Sequence, residues 1–175
     1  MPRTRVDTRS EIRQVAAELF ARQGYEKTSL REVAEQLGIT KAALYYHFPS
    51  KSDLMRGIVQ PFIDDIEVLL AEREAEPLDP ARFLADYFDI VLNHRGVFEL
   101  IIRDAGALVQ LNIIEQLLAW RQRVYALLVG ADANPARIAR ATVAIGGLQD
   151  CAMSESPAEE FREAALAAAR AALDS

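Results

Sequence analysis

Between Leu30 and Phe48 the chain reads LREVAEQLGITKAALYYHF, and this stretch leaves few folds open. Two short helices must cross steeply through a tight turn, which fixes what certain positions can hold. Ala34 is small where the second helix approaches, and Gly38 supplies the positive backbone φ that ends the first helix. Val33, Leu37, Ile39 and Leu44 form a shared apolar face, which Phe48 closes. Thr40 caps the second helix, leaving its amide end free to meet a phosphate. The outer side of that helix carries Lys41, Ala42, Tyr45, Tyr46 and His47. A helix laid into a major groove has this composition. Lysine and the capping threonine meet phosphate, alanine approaches a thymine methyl, and tyrosine hydroxyls reach backbone or base edges. Lys51, opening the next helix, pins the far side of the groove. The plain alternative is a helical hairpin with a solvated face.

The rest of the chain also repeats its apolar residues at helical spacing, with almost no strand signal. Ile12, Val15, Ala16, Leu19 and Phe20 mark a first helix that Gly24 ends. Thr8 with Glu11, Ser29 with Glu32, and Ser50 with Asp53 have capping-box spacing, announcing three helix starts. A long helix is predicted over 51–74, kinked or interrupted by Pro61. After the break at 76–80, helices are expected over about 80–93, 96–104, 107–129, 135–153 and 157–173. Asn134-Pro135 and Ser156-Pro157 open the last two, each a capping residue followed by proline at the first helical position. The fold expected is therefore all-α. An N-terminal three-helix helix-turn-helix domain over 1–50 would precede a C-terminal helical domain over 51–175.

Charge supports that division. The chain carries a net −6, yet residues 1–60 hold ten Lys/Arg against seven Asp/Glu, including all three lysines, Lys27, Lys41 and Lys51. The remaining residues hold ten Lys/Arg against nineteen Asp/Glu. Such asymmetry points to a nucleic-acid-facing end. No apolar run is long enough to span a bilayer, and the basic start leads into an amphipathic pattern rather than the apolar core of a signal peptide. Cys151 is the single cysteine, so no internal disulfide is possible and a cytoplasmic location is the default. It reads as a small buried residue in an Ala-rich helix. No cofactor or metal is expected: GxGxxG, the phosphate-binding GxxxxGK[ST], GxSxG and CxxC are missing, and His47 and His94 are far apart. Acidic neighbours such as Asp64-Asp65 diverge by about 100° on a helix and read as solvated. An enzyme is not expected.

The stretch AAELFARQGYEKTSLREVAEQLGITKAALYYHFPSKSDLM, within Arg9–Leu54, resembles the DNA-binding domain of the tetracycline-repressor (TetR) family. Gly24-Tyr25, Thr28-Ser29 and the run Leu44–Phe48 leading to Lys51 carry the likeness, which covers about a quarter of the chain. It implies that Lys41–Phe48 is the recognition helix. Contacts to DNA would come from Thr40, Lys41, Ala42, Tyr45, Tyr46, His47 and Lys51, with Thr28, Ser29 and Arg31 at the start of the preceding helix. Arg3 and Arg5 form a basic arm that reaches the minor groove or frays. The resemblance further implies a homodimer on a palindromic operator, built by the last two helices of each subunit. Ala141, Ala144, Gly146 and Gly147 allow close helix approach there. Ile138, Val143, Ile145, Leu148, Phe161, Leu166 and Leu173 supply apolar faces.

In that family the second domain holds a small-molecule effector whose binding releases DNA. The candidates here are Phe62, Phe83, Tyr87, Phe88, Phe98 and Trp120, with Asp104, Gln110 and Gln149 as polar groups inside apolar runs. Asn93, Arg103 and Asn112 are further polar pointers, and Pro61 is a candidate pivot. A mostly apolar site suits a largely hydrophobic effector. Each aromatic has a bland reading as ordinary core. Two other functional readings stand beside this one. One is a dimeric DNA-binding protein whose second domain senses nothing; the other is a helical enzyme or adaptor with a fortuitous helix-turn-helix.

Overall fold

The computed structural model describes residues 5–75, 77–130, 133–154 and 159–174, without the side chains of residues 5–7, 101, 105 and 110. Arg3, the Arg5 side chain, Ser156-Pro157 and the Gln110 side chain lie outside the described residues. Among the described residues the regular elements are all helices, so the all-α expectation holds. In chain order they are α1 (Arg5–Gln23), α2 (Leu30–Leu37), α3 (Lys41–His47), α4 (Lys51–Glu74) and α5 (Pro80–Asn93). Then come α6 (Arg95–Arg103), α7 (Ala105–Gln110), α8 (Ile114–Val129), α9 (Pro135–Ala152) and α10 (Glu159–Asp174). By packing, the chain forms two compact units: Met1–Pro61 with Gly96–Glu115, and Phe62–Arg95 with Gln116–Ser175.

In the first unit, Ile12, Ala16, Leu19 and Phe20 of α1 are buried, as are Val33 and Ala34 of α2, Leu44 of α3, and Phe48. The helix starts follow the caps, with one exception. Ser29 makes a reciprocal capping box with Glu32, and Ser50 Oγ accepts from the Asp53 amide at 3.0 Å. The chain is already helical at Arg5, however, so Thr8 and Glu11 lie inside α1 rather than at its mouth. Three-residue spacing is shared by any two neighbours on one helix face, which is why the pattern misled.

Pro61 does not interrupt α4. It removes the amide that would bond the carbonyl of Gly57, four residues earlier. Gly57 itself is held to its size by a neighbour: a Cβ added there would come within 2.6 Å of Phe48 Cε1. The Phe48 ring is buried and cannot swing away. Gly57→Ala is therefore expected to destabilise the first unit by about 1–3 kcal/mol, read as a lower melting temperature by circular dichroism.

The single helix expected over 107–129 is two. Asn112 stands between α7 and α8 in the left-handed region, at φ 56, a conformation asparagine tolerates. No glycine or proline announces the break.

The second unit is built from the C-terminal part of α4 with α5, α8, α9 and α10. Phe62, Phe83, Leu84, Tyr87, Phe88 and Val91 are fully buried. Asp79 and Asn134 cap α5 and α9, each ahead of a proline at the first position. Around the rim, Arg162 grips Asp89 with both oxygens, at 2.7 and 2.9 Å. Arg123 bonds Glu67 and Glu74, and buried Arg73 bonds Asp86. Helices α9 and α10 pack together, with Ala141, Ala144, Ile145 and Leu148 buried on one and Ala165, Leu166 and Ala169 on the other.

Candidate nucleic-acid interface

Helix α3 is seven residues long and buries one of them, Leu44. Everything else about it follows from that economy. Its N-terminus is fixed by Thr40, whose Oγ1 accepts from the Ala43 amide at 3.1 Å. The chain enters from Gly38, at φ 66, whose N–H bonds back to carbonyls of Ala34 and Glu35. Glycine holds that conformation without the Cβ strain most residues would meet. The result is a short helix presenting Thr40, Lys41, Ala42, Tyr45 and Tyr46 outward. Tyr46 is 63% exposed, unusual for a large aromatic ring on a folded surface. The Lys41 ammonium lies 5.5 Å from the Tyr45 ring centre, and His47 meets Tyr46 edge-to-face at 5.4 Å. The expected groove-facing residues of α3 are thus brought together on one side.

The flanking candidates divide. Thr28 is 2% exposed. Its hydroxyl donates to the Gly24 carbonyl at 2.9 Å and accepts from Gln23 Nε2 at 3.2 Å. Its amide bonds the Tyr25 carbonyl. Thr28 therefore builds the turn between α1 and α2, and its side chain is not presented outward. Ser29 is exposed but engaged in the cap, where its hydroxyl and amide both donate to Glu32. Those bonds, amide first, hold the Glu32 carboxyl below the usual carboxylate range. Arg31 is exposed and paired with Glu35 at 2.7 Å, a surface pair that a phosphate can displace.

Lys51 does more than sequence suggested. Its Nζ donates to the carbonyls of Tyr25 and Glu26 at 2.9 and 3.3 Å and sits 4.3 Å from the Tyr25 ring centre. The ammonium that opens α4 is thereby fastened to the α1–α2 turn. Burial, with Glu26 next, pushes the Tyr25 phenol up.

Three further tethers escaped sequence reading, because they join residues far apart in the chain. Asp104 Oδ2 accepts from the Tyr25 amide at 2.6 Å. Arg103 Nη1 donates to the Ala21 carbonyl at 2.9 Å, and Arg56 Nη2 to the Leu111 carbonyl at 2.8 Å. Asp104 stands at the N-cap of α7, yet its side chain makes no cap there. Its carboxylate goes to the α1–α2 turn instead. Arg9 was also missed: its guanidinium lies 5.1 Å from the Phe48 ring centre, in a cleft of 420 Å³ shared with His47 and Arg56. It adds a cation beside the C-terminal end of α3.

The effector candidates also divide. Phe62, Phe83, Tyr87, Phe88, Trp120 and Gln149 belong to the second unit. Phe98 and Asp104 belong to the first, where Asp104 is occupied as described. In the second unit Gln149 Nε2 donates to the Tyr87 hydroxyl at 2.7 Å. Burial drives the Tyr87 phenol far above its ordinary range.

A family model described as bacterial regulatory proteins, tetR family, matches residues 12–58. The chain is 33% identical over 118 residues to the HTH-type transcriptional regulator AcrR of Shigella flexneri, an alignment covering 63% of this chain and 55% of that protein. It is 38% identical over 71 residues to the HTH-type transcriptional repressor KstR2 of Rhodococcus jostii (strain RHA1), covering 41% and 35%. The chain therefore spans about half or less of the length of these relatives. Among solved structures it resembles a transcriptional regulator (TerR/AcrR family) from Aquifex aeolicus VF5, with a TM-score of 0.72 at 20% identity over 94% of this chain and 98% of that one. It also resembles the ketosteroid transcriptional regulator KstR2 of Mycobacterium tuberculosis, with a TM-score of 0.69 at 17% identity over 95% and 93%. At those identities the likeness shows the fold.

Proposed function

From a chain whose N-terminal segment, residues 12–58, belongs to the tetR family of bacterial regulatory proteins, we infer a sequence-specific DNA-binding transcriptional regulator of the repressor type. The outward face of α3 carries this reading: a capped helix whose one buried residue is Leu44, with Lys41, Tyr45 and Tyr46 facing outward. Thr40, Ala42 and His47 complete the reading surface, with Ser29, Arg31 and Lys51 at its margins. The functional division remains 1–50 for DNA and 51–175 for sensing and dimerisation. Residues 96–115 pack with the first unit, which gives the sensing part a strand of chain fastened beside the DNA-reading helices. No described helix is long and apolar enough to cross a membrane.

Selection from a random duplex library tests the reading. An enriched palindrome supports a two-fold reader, with log K falling linearly against log salt. No enrichment at low salt overturns it. Lys41→Ala is expected to weaken binding across sequences and to reduce the magnitude of the salt slope by about 1. An unchanged slope would remove Lys41 from the phosphate contacts.

The dimer reading rests on what α9 and α10 leave outside. Ala141, Ala144, Ala165 and Ala169 are buried in these helices, whereas a Cβ at Gly146 or Gly147 would meet nothing within 4 Å, and Ile138, Val143 and Phe161 stay 48%, 63% and 40% exposed. A second copy of the same pair would bury these three. Val143→Glu is expected to turn a dimer into a monomer at micromolar concentration by light scattering, with the helical content kept. A wild-type monomer would sink the dimer itself.

The sensing reading rests on the aromatic core of the second unit. An effector releases DNA when it binds the DNA-incompetent arrangement better than the competent one.

A further inference from the structure

We propose that the indole N–H of Trp120 anchors the effector, and that the effector is an uncharged, flat molecule presenting a carbonyl oxygen to it. This rests on the sensing reading of the second unit and names the chemistry of its ligand.

Trp120 is 4% exposed, and its Nε1 is buried without a hydrogen-bond partner. An indole N–H can only donate, so an acceptor alone can satisfy it. A buried donor without an acceptor is costly, and folded proteins rarely retain one without a use for it. Its surroundings offer no relief. The ring meets Phe62 edge-to-face at 5.4 Å and leans on Tyr87 at 6.3 Å. Phe62 continues to His94 at 5.7 Å, and Tyr87 stacks on Phe83 at 6.2 Å. Two nitrogens of this aromatic chain, Gln149 Nε2 and His94 Nε2, are committed elsewhere. Gln149 is bonded to Tyr87, and His94 Nε2 to Asp65 at 2.7 Å.

Two features narrow the ligand. The rings packed on the indole make the surroundings of Nε1 aromatic, which favours a flat π-system over a branched aliphatic one. The depth of burial penalises charge, which selects a ketone, amide or ester oxygen over a carboxylate.

The test uses the full chain and two probes of one shape. In 2-acetylnaphthalene a carbonyl stands where 2-ethylnaphthalene has a methylene. By equilibrium dialysis the wild type is expected to bind the ketone about tenfold more tightly. Trp120→Phe is expected to bind the two equally. Because Trp120 is the single tryptophan, its indole N–H proton resonance supplies a second readout. Saturating ketone should move it downfield as the N–H gains an acceptor, and the hydrocarbon should not. Equal affinities in the wild type would overturn the anchor while leaving the sensing reading standing. No saturable binding of either probe would overturn the proposed anchor for a flat ligand, again without touching the sensing reading. If the variant does not fold, the wild-type affinity ratio decides alone.

Discussion

Leu44→Ala is expected to remove operator binding while leaving most of the chain folded. Helix α3 has no other buried side chain, and seven residues are too few for a helix to persist on propensity alone. Truncating a fully buried leucine costs about 2–5 kcal/mol, from lost transfer energy and the cavity left behind. If the helix is then mostly unfolded in the free protein, DNA must spend part of its binding energy on refolding it. The apparent affinity should drop by about thirtyfold at least, at 1.4 kcal/mol per factor of ten. Titration of the selected duplex, beside a circular dichroism melt, checks both halves. Intact affinity would mean that α3 is held by something other than Leu44.

Asp104→Ala should give the second large effect. Its carboxylate accepts from an amide in the α1–α2 turn, 79 residues away. Hydrogen bonds to a charged acceptor contribute about 1.5–3 kcal/mol, and the orphaned, part-buried Tyr25 amide would add to the loss. The melt of the first unit should fall by that order, and the Tyr25 amide should lose protection against hydrogen exchange. Asp104→Asn keeps an acceptor without the charge and should recover part of both. A variant with unchanged exchange at Tyr25 would show that the tether is not held in solution. This differs from the role sequence suggested for Asp104. A carboxylate inside an apolar run reads as a candidate ligand group, while the contact it makes here is to a backbone amide that no side-chain pattern reveals.

What was legible in the sequence was local. Ser29 with Glu32, Gly38, Thr40, and Ser50 with Asp53 each act within four residues, so their spacing carried their meaning. The outward face of α3 was legible for the same reason, since helical period fixes which residues accompany Leu44 inward. The burial of Thr28 was not legible, because its hydroxyl is spent on Gly24 and Gln23 rather than on a sequence pattern that marks it as inside. The break at Asn112 carried no glycine or proline, and left-handed asparagine is visible only in backbone angles. Lys51, Arg56, Arg103 and Asp104 were hidden by distance along the chain.

The discontinuity of the first unit has a consequence for how the protein is made. A ribosome delivers α1, α2 and α3 well before residues 96–115, and the intervening α5 belongs to the other unit. Until Asp104 and Leu111 emerge, the Tyr25 amide and the Arg56 guanidinium have no partners there. The nascent helix-turn-helix must wait, less stable than in the finished chain and exposed to proteases or to premature contact with nucleic acid. Its DNA-reading end reaches full rigidity only once more than a hundred residues have been joined. Synthesis itself thus delays the moment at which the first unit is complete.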